Sequence, residues 1–248
     1  MTLLSQLFLY FRKVDHSVKQ KIQHTAIFIF ARSEQVEAKK KILTSRSSQT
    51  NQSIIRHLNQ KTEEIALSTG LPVLWINGNR SQKASFGDKL ENAFKQVFDA
   101  GYQNVIAIGN DCPNLTKETL LVAADQFETK EFVLGPAQDG GVYLMGIRKD
   151  AFAQFSFQQL PWSTSHLYNA ILDVIQYSSH HILAVERDID HAKDLFDFLK
   201  TPGQSIFIQE IKQLLRAGIS QIFHLIKLNF SRPCYISHSQ RGPPVRFV

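Results

Sequence analysis

The sequence predicts an α/β fold, a mainly parallel sheet flanked by helices on both faces, and three observations carry that expectation. Short β-branched runs alternate with stretches of helical periodicity. Acidic, glycine-containing loops follow several of these runs, at the strand ends where open α/β sheets keep their ligand chemistry. A chain of 248 residues with 43% hydrophobic and 20% charged residues is also long and apolar enough to bury one sizeable core.

Thr25 to Ala31 reads as a buried first strand, and from Arg32 the chain enters a ligand-facing loop carrying Lys39, Lys40 and Lys41. Ile54, Leu58 and Ile65 recur at helical intervals over Ser53–Ser68, and Gly70 with Pro72 stops that helix before the strand at Val73–Ile76. Phe86, Leu90, Ala93, Phe94, Val97 and Phe98 repeat at three and four residues, and Gly101 ends their helix ahead of Val105–Ile108. That last run is too short and too apolar for anything but a buried strand, so Asp111 emerges at its carboxyl end.

Thr116 is placed to cap a helix running to about Phe127, and Phe132–Leu134 forms the next strand, broken by Gly135-Pro136. Asp139-Gly140-Gly141 makes an acidic turn before the alternating run Val142–Ile147. The pattern over Ser165–Tyr177 is helical, Ile182–Val185 is strand-like, and Asp188-Ile189-Asp190 precedes a helix from His191 to about Leu199. A parallel sheet gathers these acidic loops at one edge.

The flanks differ from the centre. Residues 1–24 form an amphipathic N-terminal extension, 25–200 the α/β domain, 201–228 amphipathic C-terminal helices and 229–248 a mobile basic tail. Residues 1–61 carry a net charge of +8 and 211–248 of +6, against −8 for 62–210. Basic flanks around an acidic centre are not the basic stripe of a nucleic-acid-binding face, and no nucleic-acid partner is expected. No run reaches the roughly 18 apolar residues of a membrane-spanning helix. Cys112 and Cys234 have no disulfide or zinc spacing, so a reducing, cytoplasmic setting is expected. A carboxylate next to Cys112 disfavours its thiolate, which makes it a packing residue before a nucleophile.

Taken singly, the acidic residues allow two readings each. Asp111 can hold a divalent cation, or it can serve a strand-end turn or a helix cap. Asp188 and Asp190 can be ligands, or they can face the positive end of the following helix, an effect of about 0.3–1 kcal/mol. Trp162 can line a ligand platform or the core, and Asp139 can serve a substrate or only its own turn.

The order of motifs resembles the nucleotide-diphospho-sugar transferase superfamily with the glycosyltransferase-A, Rossmann-like fold. The similarity is greatest to a bacterial branch labelled a glycosyltransferase in arsenosugar biosynthesis, related to cofactor guanylyltransferases. It rests on Phe30-Ala31-Arg32, Phe86-Gly87-Asp88-Lys89-Leu90, Gly109-Asn110-Asp111-Cys112-Pro113, Gly135-Pro136 with Asp139-Gly140-Gly141, Pro161-Trp162-Ser163-Thr164, and Asp188-Ile189-Asp190 with Asp194-Leu195. The resemblance implies a Mg²⁺- or Mn²⁺-dependent glycosyl or nucleotidyl transferase that takes a nucleotide or nucleotide-diphospho-sugar and a small-molecule acceptor. It implies Asp111, Asp190 and Asp188 as metal ligands, and Asp111 and Asp139 as catalytic residues. Ala31, Arg32, Lys40, Phe86 and Gly87 would enclose the nucleotide, and Gly140, Gly141, Trp162, Ser163 and Thr164 would shape the substrate side.

The chain departs from this family at the first loop, which normally reads glycine followed by Lys-Thr-Arg-Leu. Aligned from Ala31-Arg32, the glycine falls on Glu37, the lysine on Lys40 and the rest on Lys41-Ile42-Leu43. At about 4 Å from a phosphate charge, Glu37 costs roughly 1 kcal/mol in water and about 4 kcal/mol at an effective dielectric of 20. The alternative expectation is therefore a catalytically inactive relative acting as a binding or interaction protein, with Lys39, Lys40 and Lys41 as the groups that would offset the repulsion.

Overall fold

In the computed structural model, residues 24–45, 47–78, 84–201 and 206–216 are described. The N-terminal extension expected before Thr25, apart from His24, and the basic tail expected over 229–248 lie outside the described residues.

Six strands form one sheet: β1 (Thr25–Ala31), β2 (Val73–Asn77), β3 (Asn104–Ile108), β4 (Phe132–Pro136), β5 (Val142–Arg148) and β6 (His180–Ile182). Their order across the sheet is β2-β1-β3-β5-β4-β6. β1 pairs in parallel with β2 and β3, and β4 with β6, whereas β5 runs antiparallel to both β3 and β4. The sheet is thus mainly parallel with one reversed strand. The reversal follows from chain length: only residues 137–141 join β4 to β5, enough for a hairpin and far too few for a parallel crossover.

The helices are α1 (Glu34–Lys40), α2 (Ser48–Ser68), α3 (Phe86–Asp99), α4 (Lys117–Gln126), α5 (Lys149–Phe152), α6 (Leu167–Val174) and α7 (Ala192–Lys200), with a further helical segment at 206–216. Thr116 caps α4 as expected, its hydroxyl accepting from the Thr119 amide at 3.1 Å. Ser85 and Asp88 form a reciprocal capping box at the start of α3. One expectation needs correction. The stretch after Arg32 is not a loop but starts with α1, whose only fully buried side chain is Glu37, so the helix left no apolar periodicity to detect.

Alternation along the strands divides the interior. Ala26, Phe28, Val105, Ala107, Leu134 and Met145 point to one face, under α3, α5 and α6. Ile27, Ile29, Ile106, Ile108, Val133 and Leu144 point to the other, under α2 and α4. Helices on both faces, as the alternation of elements predicts, leave only the strand ends open to ligands. A third cluster joins Leu43, Ile54, Ile55, Leu58, Ile189, Leu195, Phe198 and the segment 206–216 through Phe207, Ile208 and Ile211. Ile211, Leu214 and Leu215 of that segment therefore pack within the chain.

Candidate active site

A cleft of about 490 Å³ opens at the carboxyl ends of β1, β3 and β4. Of the residues singled out from sequence, Ala31, Arg32, Lys40, Phe86, Asp111, Asp139, Gly141, Trp162, Ser163, Asp188 and Asp190 line it. Residues from loops far apart in sequence meet there because the sheet puts every forward-running strand's end on the same edge.

Asp111 sits three residues past β3. Its position depends on Gly109, where a Cβ would lie 2.6 Å from Asp111 Oδ1, so any larger residue would push the carboxylate away. The backbone carbonyl of Asp111 accepts from the Ile189 amide at 2.8 Å, which ties this loop to the one carrying Asp188 and Asp190. Neither loop spends its carboxylates on helix capping. Thr116 caps α4, and Asp194 accepts from the His191 and Asp190 amides at the start of α7 at 2.8 and 3.2 Å.

The centre of the cluster is Lys41, at the C-terminal end of α1. Its ammonium donates to Asp111 Oδ2 at 2.6 Å, lies 2.7 Å from Asp190 Oδ1, and stands 3.8 Å from Glu37 Oε1. Burial pulls its pKa down, but Asp111 and Asp190 more than offset this and hold it above the ordinary lysine value. Asn51, buried in the first turn of α2, fixes the backbone there: its amide group donates to the carbonyls of Ala38 and Lys41 and its oxygen accepts from the Leu43 amide. Lys40 lines the cleft too, but of the two lysines it is Lys41 that joins the acidic loops.

Asp188 is less well provided for. Its Oδ1 is buried and has no hydrogen-bond partner among the described residues. Its carboxyl is pushed up to about 8, first by burial and then by Asp111, Asp139 and Asp190, with Lys41 acting the other way. Asp139 shapes its turn and still faces the cleft: Oδ1 accepts from the Gly141 amide at 2.8 Å. Glu37 is 3% exposed and paired with Arg32 at 3.2 Å, so it does not stand as a free negative charge where the family has its glycine.

An aromatic wall completes the site. Phe30 meets Phe86 edge-on at 5.6 Å, Phe86 meets Trp162 at 5.2 Å, and Trp162 stacks on Phe157 at 6.2 Å. The Trp162 indole donates to the Phe157 carbonyl at 2.6 Å, so one ring serves both the core and the cleft. Ser163, also on the lining, has φ of 62°, an uncommon conformation for a residue with a side chain. Three expected site residues serve the scaffold instead of the lining. Gly87 is buried beneath Trp162, Gly140 makes the hairpin turn, and the Thr164 hydroxyl donates to the Pro161 carbonyl at 2.7 Å. Lys89, quoted within a motif but given no role, and Tyr143 join the lining too.

The fold belongs to the α/β class, a mixed six-stranded sheet with helices on both faces. The chain shares its fold with the crystal structure of a proposed nucleotide-diphospho-sugar transferase from Desulfovibrio desulfuricans G20, at 21% identity over 81% of this chain and 97% of that one, with a TM-score of 0.67. More distant are Rv0371c from Mycobacterium tuberculosis H37Rv in complex with manganese, at 15% identity, 72% and 99% coverage and a TM-score of 0.44, and a cytidylyltransferase from Leptospira borgpetersenii serovar Hardjo-bovis, at 16% identity, 80% and 96% coverage and a TM-score of 0.41. Within the chain, residues 59–164 match a family described as an uncharacterized protein conserved in bacteria (DUF2064). That span holds Asp111, Asp139 and Trp162, while Lys41, Asp188 and Asp190 lie outside it. No curated protein matches the sequence.

Proposed function

We propose that this chain is a metal-dependent transferase that takes a nucleotide or nucleotide-diphospho-sugar and moves its glycosyl or nucleotidyl group to a small-molecule acceptor. The observation that carries this reading is the convergence of Asp111, Asp139, Asp188 and Asp190 on one cleft, with a buried carboxylate oxygen of Asp188 left without a partner. An all-oxygen, carboxylate-rich lining suits Mg²⁺ or Mn²⁺, and a buried Asp188 oxygen that no donor occupies supports that reading. Asp111, Asp190 and Asp188 are the residues that would hold it.

A bound divalent ion supplies Lewis acidity and neutralises charge on a departing phosphate group. The protein's own side chains do the rest by positioning and electrostatics. Arg32, Lys40 and Lys89 give the cleft basic groups for phosphate oxygens. The wall of Phe30, Phe86 and Trp162 offers flat apolar surface to a base or sugar ring. Asp139, one oxygen held by the Gly141 amide, keeps the other for an acceptor hydroxyl and its proton. Against the alternative of a catalytically inactive relative stands the pairing of Glu37, the residue that motivates it, with Arg32.

Thermal denaturation tests the proposal. A ligand present at about 100 times its dissociation constant adds about 2.7 kcal/mol of stability. Nucleotides and nucleotide sugars with Mn²⁺ are expected to raise Tm, and Asp111→Asn to abolish the rise. No shift with any of them at millimolar concentration would overturn it.

A further inference from the structure

We infer that Lys41 is a tethered placeholder cation, which holds the acidic loops together in the metal-free protein and must leave them for a divalent ion to bind. The inference rests on the reading of the cleft as a cation site and adds how that site is regulated.

The geometry is that of a bridge. The Lys41 ammonium lies 2.6 Å from Asp111 Oδ2 and 2.7 Å from Asp190 Oδ1, so it uses an oxygen from each of the two loops proposed to supply metal ligands. Those two oxygens cannot keep the ammonium and also coordinate a divalent ion at the same point, and the two cations repel each other at that range. Yet one positive charge is too little for the site. Asp188 and Asp139 share the cleft, and the buried Oδ1 of Asp188 receives no hydrogen bond from Lys41 or from anything else. A divalent ion would satisfy more of this charge than the lysine does.

Lys41 also has somewhere to go. Asn51 clamps the backbone at residues 38, 41 and 43, so displacing the ammonium takes only rotation of the four-carbon side chain away from Asp111, Asp190 and the Ile189 carbonyl. Glu37 Oε1 stands 3.8 Å from the ammonium, and Arg32 and Lys40 line the same cleft. A displaced Lys41 therefore joins the basic groups proposed to receive phosphate. Cation binding would send a positive charge toward the anion subsite, making metal and phosphate binding mutually reinforcing. An empty site would stay locked by its own lysine.

The test compares Mn²⁺ binding by the wild-type protein and by Lys41→Gln, using calorimetry or the electron paramagnetic resonance of free Mn²⁺, with and without inorganic pyrophosphate. Lys41→Gln is expected to bind Mn²⁺ about tenfold more tightly in the absence of pyrophosphate, within the usual range of a coupling between sites. Pyrophosphate is expected to tighten Mn²⁺ binding strongly in the wild type and only weakly in the variant. Because Lys41→Gln removes a charge from a crowded acidic site and can unfold, lysine acetylation of the wild-type protein, read by mass spectrometry, gives a second measurement. Labelling of Lys41 should rise when Mn²⁺ alone is added. Asp111-dependent Mn²⁺ binding that Lys41→Gln leaves unchanged or weakens, with Lys41 labelling unaltered by Mn²⁺, overturns the placeholder and leaves the transferase reading standing. Absence of Mn²⁺ binding in every form, with or without pyrophosphate, overturns both.

Discussion

Asp111 and Cys112 are neighbours with opposite environments. Asp111 reaches the cleft, while Cys112 is 4% exposed and packs with the β3–α4 side of the core. Burial pushes the Cys112 thiol up, with Asp188, Glu186 and Asp111 adding to the effect. In the unfolded chain a cysteine ionises near 8.5. The folded protein therefore keeps a proton that the unfolded chain releases, so this thiol's contribution to stability falls as pH rises above about 8.5. At pH 8 the native protein should leave Cys112 unmodified by iodoacetamide, and denaturant should expose it to rapid alkylation, as read on the Cys112 peptide. Native-state alkylation at the unfolded rate would reverse that assignment. The usual burial of a free cysteine, together with the adjacent carboxylate, pointed the same way in the sequence, and burial is the larger cause. Lys41 was harder, because its partner Asp111 is 70 positions away and nothing in a run of three lysines says which one turns inward. Asn51 carried no signal either: its work is done by buried hydrogen bonds to a neighbouring helix end.

Among the elements, the β4–β5 hairpin does most to place Asp139. Its turn is closed by the bond from the Ala137 amide to the Gly141 carbonyl at 3.0 Å, and Gly140 adopts φ of 89°. A Cβ at Gly140 would also lie 2.0 Å from the Ser165 carbonyl oxygen, and the Gly140 carbonyl accepts from the Tyr168 amide in α6. Gly140→Ala should cost about 1–3 kcal/mol for the backbone conformation alone, with the clash adding to it. Urea denaturation measures the loss, and a variant as stable as the wild type would mean that the turn tolerates a side chain. The paired glycines announced a turn in the sequence, whereas the close approach of Gly140 to the Ser165 backbone was not legible there. Most strands were legible as short apolar runs, though β6 falls at His180–Ile182 rather than Ile182–Val185, and α4 showed itself through Thr116 and α3 through the recurrence of Phe86, Leu90, Ala93, Phe94, Val97 and Phe98. α1 did not, since a seven-residue helix that buries one charged side chain has no periodicity to read. The reversed direction of β5 was implicit only in the shortness of the connection before it.

At the scale of the molecule, the site is supported by the smallest of the three core clusters. Leu43, two residues past Lys41, and Ile189, between Asp188 and Asp190, are both buried in it, together with α2, α7 and the segment 206–216. The sheet fixes Asp111 and Asp139 directly, but the loops bearing Lys41 and Asp190 depend on this third cluster. Ile211 is fully buried at its centre. Ile211→Ala removes three carbons from a packed interior and should lower stability by about 2–5 kcal/mol. The effect should also be uneven. Amide hydrogen exchange at Leu43 and Ile189 is expected to speed up more than exchange in β1 and β3, which have their own clusters, because proteins open in cooperative units. Proposed Mn²⁺ binding should weaken along with it, since Asp190 loses its support while Asp111 keeps its own. If exchange accelerates equally throughout the sheet and around Leu43, the third cluster is not a separate unit, and the helical segment at 206–216 stabilises the whole fold rather than the acidic edge of the cleft.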